Sequence, residues 1–497
     1  MKRHFDLSEV MHWLGLESEP LDINVTGITA DSRNIHPGDV FFALSGFQMH
    51  GMDFAYQAQR AGAVAIIAED VKPGRAKPAG RQEPLAIPVI EWPDLGQFLG
   101  KLASNFYAQP SQQLHVSAVT GTNGKTSVAW LLAQAKHLLD TPSGYLGTLG
   151  AGWGDAVEKL NNTTPSALAI HRLLRDFVEK DFTAACIEAS SHALDQYRLH
   201  HTDIDVAIFT NLSRDHLDYH QTEAAYLEAK VRLFKDFSAD YHVINSDDAC
   251  GRVILQNHSG QKGNISYSIK DEAASIYATD IELIPSGLRF NWHYQSQRHA
   301  LESHLMGQFN VSNVLAVIGA LMAAGFSVAA IQAVLPQLQP VPGRMNVLSG
   351  HADKATVVVD YAHTPDALDK VLETLSQHKP QRLWCVFGCG GNRDKGKRAQ
   401  MGRVAEQWAD EIILTDDNPR MEDGDVIVTD IQRGIKRQVE VIRDRRQAIG
   451  YALQQAGADD VVLIAGKGHE QIQEIGGQQL HFNDMEVAQN WYGGAHD

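Results

Sequence analysis

The chain has 497 residues, 44% of them apolar, with 43 Lys and Arg against 60 Asp and Glu for a formal net charge of −17. That length fits about three domains of ~150 residues, and the apolar fraction supplies several cores, which excludes a disordered chain. The acidic balance argues against a nucleic-acid partner or an anionic membrane surface, yet not against small anions, which need only a local cationic pocket.

The opening MKRHFDLSEVMHWLGLESEP carries Asp6, Glu9, Glu17 and Glu19 where a secretory signal needs an unbroken apolar run. No later stretch reaches the ~18 apolar residues of a membrane span. Cysteines are sparse: Cys186 and Cys385 fall in strand-like runs and Cys389 opens a glycine turn. Cys385 and Cys389 have no second Cys or His pair at zinc-ligand spacing. These features predict a soluble, reduced, cytoplasmic protein.

Three blocks are predicted, 1–92, 93–339 and 340–497, with proline-marked joints. In the first, AVAIIAED (63–70) and IPVIEW (87–92) are short buried strands around the Pro-, Gly- and charge-rich loop VKPGRAKPAGRQEP. A helix from Pro93 to about Tyr107 leads out. The second block opens with the strand LHVSAV (114–119) and continues with strand signals in TAACIEA and DVAIFTNL and a helical YLEAKVRLFKDF. LQPVPGRM (338–345) marks the second joint. In the third block ATVVVD (355–360), RLWCVFG (382–388), EIILTD (411–416) and DVVLIAG (460–466) are apolar runs separated by helix-length segments, the pattern of a parallel doubly wound sheet. Their tails are DYAHTP, GCGGNRDKGKR, DDNPR and GKGHE. Ligands of open α/β sheets sit at the carboxyl ends of strands, so these tails are expected to converge on one crevice.

AVTGTNGKTS (118–127) follows a strand and precedes a helix-like segment. Gly121 and Gly124 allow a tight turn whose N–H groups face an oxyanion, Lys125 reaches outer phosphates, and Thr126 offers a hydroxyl to Mg²⁺. The generic phosphate-loop pattern wants glycine where Val119 stands, and an ordinary Gly-Asn-Gly turn is the alternative. Glu188 ends a strand, the usual address for a carboxylate facing a nucleotide-bound metal. In NLSRDHLDYH (211–220), Asp215, His216, Asp218 and His220 are expected to crowd together, as a metal site or as a polar loop. Composition alone makes Lys230 a solvated helix lysine. Arg393, Lys395, Lys397 and Arg398 form a basic knot at a strand tail, which favours an anion contact.

In chain order, GTNGKT, IEASSH, NLSRDHLDYH, HLMGQFNVSN, PVPGRM, VVVDYAHTPDAL, GCGGNRDKGKR, DDNPR and GKGHE resemble the Mur ligases, ATP-dependent amide-forming enzymes of peptidoglycan precursor synthesis. The likeness runs from TADSR (29–33) to GKGHE (466–470) and is greatest to members that add the third peptide residue. It implies an α/β protein of three domains: an N-terminal one for the UDP part of the substrate, a central P-loop ATPase-like parallel sheet, and a C-terminal Rossmann-like doubly wound sheet. It also implies ATP and Mg²⁺, a UDP-MurNAc-dipeptide whose D-glutamyl γ-carboxylate becomes an acyl phosphate, and an amine that attacks it. A monomer without nucleic-acid or membrane partners is expected.

Carried over by motif, Gly121, Thr122, Asn123, Gly124, Lys125, Thr126 and Ser127 would hold ATP, with Asn310, Arg344, Asp360 and His363 on its adenosine and phosphate side. Lys125, Glu188, His216 and Lys230 form the implied catalytic group, and Thr126, Glu188, His216 and Lys230 the implied metal set. Lys230 matches a lysine carbamylated by CO₂, whose added carboxylate supports a second Mg²⁺. Ala30, Ser32, Asn162, Thr163, Thr164, Ser190, Gln196 and Arg198 match contacts to the nucleotide-sugar and dipeptide.

The tetrapeptide Asp417-Asn418-Pro419-Arg420 resembles that of members adding meso-diaminopimelate; lysine-adding relatives replace the arginine. Diaminopimelate has a distal carboxylate that lysine lacks, and an arginine fork binds it bidentately. Arg393, Gly466 and Glu470 complete the implied amino-acid site, with Glu470 suited to the distal ammonium. The rival readings are a lysine-adding or folylpolyglutamate synthetase-like ligase and, from another class, a P-loop phosphotransferase or nucleotide-switched regulator.

Overall fold

A computed structural model describes residues 4–493 apart from 47–48, 72–76, 79–83, 259–262, 349–352 and 379. Contacts divide the chain into two compact units, Met1–Ile244 with Asp248–Asn264, and Asn245–Asp247 with Ile265–Asp497. Among the described residues no helix is long and apolar enough to cross a membrane, and all four cysteines are buried thiols.

The first unit holds a parallel sheet in the order Gly27–Thr29, Asp39–Ala43, Ala65–Glu69, Val89–Trp92. Its two inner strands are buried at every position. Successive side chains point to opposite faces, so Val40, Phe42, Ala65 and Ile67 enter one core while Phe41, Ala43, Ile66 and Ala68 enter another. Val89–Trp92, expected to be buried, is largely half-buried because it is an edge strand with one neighbour. Much of the 71–84 loop lies outside the described residues. The helix Leu95–Phe106 buries Leu95, Leu99, Leu102, Ala103 and Phe106, one stripe at helical spacing.

A second sheet of this unit runs Tyr241–Asn245, Val206–Phe209, His115–Thr120, Ala184–Glu188, Ser143–Gly147, Gly150–Gly152; only the last is antiparallel to its neighbour. Register places Glu188 beside Val119, and Phe209 beside Thr120. Three strands therefore end side by side, and their following residues share one rim.

In the second unit the antiparallel strands Ile276–Ile284, Gly287–Tyr294 and Gln297–Ser303 precede the buried helix Phe309–Ala323. A six-stranded sheet follows in the order Asn346–Leu348, Thr356–Asp360, Val461–Ala465, Leu383–Phe387, Glu411–Leu414, Glu440–Val441. The four predicted apolar runs are adjacent and parallel. Both faces are covered: Val358, Cys385, Leu414 and Leu463 enter one core, Val357, Val386, Ile413 and Val462 the other. The last strand inserts in the middle, which sets the GKGHE tail beside the tails of strands laid down a hundred residues earlier.

Candidate functional site

In the first unit the strand His115–Thr120 ends where predicted and the helix Lys125–Leu138 starts at Lys125. Gly121 has φ 150° and Gly124 φ 85°, and a Cβ on Gly121 would run into Thr210 Oγ1. The neighbouring strand end pins the loop. Thr210 Oγ1 donates to Asn123 O (2.6 Å), Asn123 N donates to Asn211 Oδ1 (3.0 Å), and Thr122 N donates to Asn211 O (2.8 Å). Lys125 Nζ curls back onto Gly121 O (2.8 Å) and Thr122 O (2.9 Å). Ser127 lies in the first helical turn.

Glu188 is fully buried and accepts from Thr126 Oγ1 (2.9 Å), Tyr145 OH (2.5 Å), Thr148 N (2.9 Å) and Thr148 Oγ1 (3.3 Å). Lys230 is not a solvated lysine. It is 1% exposed, on the same helical stripe as Tyr226, Ala229, Leu233 and Phe234. Its Nζ donates to Gly121 O at 2.6 Å and sits 4.6 Å from the Tyr226 ring centre. Burial, with the Lys125 charge adding to it, pushes this amine down to about 6.

Of the expected cluster of Asp215, His216, Asp218 and His220, the two imidazoles do come together: both rings pack on His192 (5.0 and 5.4 Å between ring centres) and on Tyr226 (6.1 and 5.3 Å). His216 is half-exposed with Asp215 Oδ2 3.6 Å away, Asp218 is exposed, and His220 turns inward to Ser191 Oγ (3.1 Å). Among the described residues no three His, Cys, Asp or Glu side chains form a metal cage. Thr126 and Glu188 instead offer hard oxygens, the donor type that suits Mg²⁺ when phosphate and water supply the rest of its shell.

Five further expected residues meet behind Glu188. Thr164 Oγ1 donates to Glu188 O (2.6 Å) and accepts from Ser190 N (3.1 Å). Arg198 Nη1 donates to Thr164 O (2.7 Å) and Nη2 to Gln196 Oε1 (2.6 Å), while Thr163 Oγ1 lies 3.2 Å from Thr148 Oγ1. Asn162 is exposed in the same loop. Ala30 and Ser32 follow the strand Gly27–Thr29 and are half-buried; Ser32 O accepts from Gln57 Nε2 (3.2 Å).

In the second unit, Asp360 accepts from Met345 N (2.7 Å) and Ala362 N (2.8 Å), and burial pushes its carboxyl up. Asn310 Nδ2 donates to Met306 O (2.7 Å). Arg344 and His363 are exposed.

The tails of the parallel strands converge as predicted. Arg420, at φ 54°, donates from Nε to Glu474 Oε2 (3.1 Å) and from Nη1 to Gly391 O (3.0 Å). Asn418 Nδ2 donates to Glu470 Oε2 (3.0 Å), and Asn418 O accepts from Gly391 N (2.9 Å). Asp417 is buried, its carboxyl pushed up by that burial, and a Cβ on Gly466 (φ 119°) would press on Asp417 Oδ2. Pro419 is buried beneath the same turn.

The basic knot is split: Arg398 alone is internal, contrary to an anion-contact role for that residue, while Arg393 and Lys395 are exposed and Lys397 is half-buried. Arg398 is fully buried between Glu422 (2.8 Å) and Asp430 (3.0 Å), Lys395 pairs with Glu422 (3.1 Å), and Lys397 Nζ donates to His363 O (2.7 Å). Arg393 alone of the four is exposed with no ion pair among the described residues. Sequence reasoning missed Tyr145, Thr148, Lys467 and Glu474. Lys467 is fully buried within the GKGHE motif.

Profiles described as "Mur ligase family, catalytic domain", "Mur ligase middle domain" and "Mur ligase, glutamate ligase domain" match residues 24–107, 119–321 and 343–468. With a strand–glycine loop–helix backed by a buried glutamate, these matches define the protein as an ATP-dependent ligase. The chain belongs to the Mur ligase family. It is 47% identical over 491 residues, 98% of this chain and 97% of the relative, to UDP-N-acetylmuramoyl-L-alanyl-D-glutamate–2,6-diaminopimelate ligase of Xanthomonas campestris pv. campestris (strain 8004). The protein of the same name from Pseudomonas aeruginosa is 43% identical over 470 residues, 94% and 95% of the two chains. A solved structure of a ligase bearing that name covers 100% of both chains at 37% identity and TM-score 0.76. The predicted α/β fold is borne out, and family membership sets aside the phosphotransferase and regulator readings.

Proposed function

We propose that the protein joins meso-diaminopimelate to UDP-N-acetylmuramoyl-L-alanyl-D-glutamate as a cytoplasmic monomer. Residues 1–92 would take the nucleotide, 93–339 ATP and 340–497 the amino acid. Gly121–Ser127 cradle the triphosphate, Lys125 exchanging its hold on Gly121 O and Thr122 O for the outer phosphates. Asn310, Arg344, Asp360 and His363 serve the adenosine and phosphate side. Ala30, Ser32, Asn162, Thr163, Thr164, Ser190, Gln196 and Arg198 receive the nucleotide-sugar and dipeptide. The D-glutamyl γ-carboxylate attacks the γ-phosphorus, ADP leaves with the bond pair, the amine adds to the acyl carbon, and phosphate departs.

Thr126, Glu188, His216 and a carbamate on Lys230 would hold Mg²⁺, which supplies the charge neutralisation that lets two anions approach. CO₂ adds only to an unprotonated amine. The lowered Lys230 amine and its position against the phosphate loop support that chemistry.

The choice of amine rests on the Arg420 fork. Glu474 and Gly391 O fix its plane while Nη2 makes no hydrogen bond among the described residues, an arrangement suited to a carboxylate. Glu470 would face the distal ammonium, with Arg393, Asp417, Asn418, Pro419 and Gly466 around it. The test is phosphate release from ATP and the muramyl dipeptide nucleotide with meso-diaminopimelate or L-lysine. Release should need all three substrates and favour diaminopimelate by about 10- to 100-fold; equal use of lysine would overturn the reading.

A further inference from the structure

Lys467 is fully buried, and its ammonium donates to Glu470 Oε2 (2.8 Å), Ile472 O (2.7 Å) and Asn418 Oδ1 (3.2 Å). Those three bonds use every donor an ammonium has. Asn418 Oδ1 also accepts from Glu474 N (2.9 Å), and Glu474 holds Arg420. One hydrogen-bonded chain thus runs from Glu470 through Lys467 and Asn418 to the Arg420 fork.

We propose that Lys467 is a positioning residue for the amino-acid site: it orients Glu470 as a carboxylate and fixes its spacing from Arg420, so that the two ends of the distal zwitterion are measured against each other. This rests on the reading of Glu470 as the ammonium acceptor. A buried cation left short of its anion is costly, so Glu470 does not swing away from Lys467 without penalty. A neutral side chain would give neither the charge nor the three-way tie.

The groups facing Glu470 electrostatically are Lys467, His469, Arg445, Asp417 and Tyr361. Burial raises the Glu470 carboxyl, but the bond and charge of Lys467, with Asn418 and His469, outweigh it and hold it below its ordinary value. Without Lys467 the burial effect gains the upper hand. The acid limb of kcat/KM for diaminopimelate then moves to higher pH, since Glu470 must be ionised to take an ammonium.

The experiment measures kcat and KM for diaminopimelate and ATP across pH in the full-length enzyme, Lys467→Met, Lys467→Arg, Glu470→Gln and Lys467→Met/Glu470→Gln. Expected for Lys467→Met is a KM for diaminopimelate raised about 10- to 100-fold, an ATP KM unchanged within about twofold, and an acid limb shifted up. Lys467→Arg keeps the charge, so its KM should rise while its acid limb stays put; it carries the test if the Met variant does not fold. The double variant should be no worse than Glu470→Gln alone. If Glu470→Gln raises the diaminopimelate KM and neither Lys467 variant does, or if the Lys467 variants raise both KM values alike, the positioning role is overturned. A Glu470→Gln enzyme with unchanged diaminopimelate KM overturns the ammonium-acceptor reading instead, and this proposal with it.

Discussion

Arg420→Ala removes a side chain tied at two points and offering a third. The structural part of the loss is small. The Arg420–Glu474 pair is 24% and 34% exposed, so it contributes about 0–1 kcal/mol, and the neutral bond to Gly391 O about 0.5–1.5 kcal/mol. The φ of 54° is no harder for alanine than for arginine, because both carry a Cβ. Stability should fall by roughly 0.5–2.5 kcal/mol in all. The functional part is larger and selective: losing charge-assisted bonds to a distal carboxylate costs about 1.5–3 kcal/mol, or ~10- to 100-fold in kcat/KM for diaminopimelate. Lysine has no such carboxylate, so its slow use should stay nearly constant and the preference should collapse. Phosphate release at sub-saturating diaminopimelate, with ATP KM measured in parallel, reads both effects. Near-normal kcat/KM for diaminopimelate, or an equal fall for lysine, would refute the reasoning.

Gly121→Ala should abolish nucleotide binding in titration calorimetry while leaving the unit folded, because a Cβ there meets Thr210 Oγ1 at a φ of 150°; retained binding would show that the loop tolerates a different turn. Arg398→Ala should destabilise the protein by about 1.5–3 kcal/mol in urea, since it removes the buried partner of Glu422 and Asp430 and leaves them to the exposed Lys395 and Arg433. In what remains folded, diaminopimelate KM should be close to wild type, which an anion-contact role would not allow. His171 is fully buried, and burial lowers its pKa from 6.5 to about 4. Between those values the unfolded chain binds more protons. The stability linked to His171 is therefore full above about 6.5 and lost as pH falls toward 4, on the order of 3 kcal/mol in total. His171→Gln should flatten the decline of the urea midpoint between pH 7 and 5, and an unchanged slope would assign the acid sensitivity elsewhere.

The phosphate loop, the strand-terminal Glu188 and the C-terminal parallel sheet were legible because each is written in contiguous residues with a period or a turn chemistry of its own. Lys230 and Arg398 were misjudged because charge was weighed before position. Tyr226, Ala229, Lys230, Leu233 and Phe234 share a helical stripe, as do Arg398, Met401, Gly402 and Ala405. The spacing was present in the sequence, and a charged residue in an apolar stripe marks a buried cation with a partner. Lys467 and Glu474 had no such signal. Lys467 stands between two glycines, and Glu474 belongs to a polar hairpin, Ile472–Ile475 with Gln478–His481. Their importance comes from chain crossings tens of residues apart.

Gly121 O accepts hydrogen bonds from both Lys125 and Lys230. A single peptide oxygen thus serves as mooring for two amines, and the loop's shape is fixed by the protein's own bonds. Triphosphate entry becomes a swap of ligands at an already shaped rim instead of the freezing of a slack segment, so little chain entropy is forfeited on arrival. Its thermodynamic mark would be a modest entropy of association coupled to a steep dependence on ionic strength.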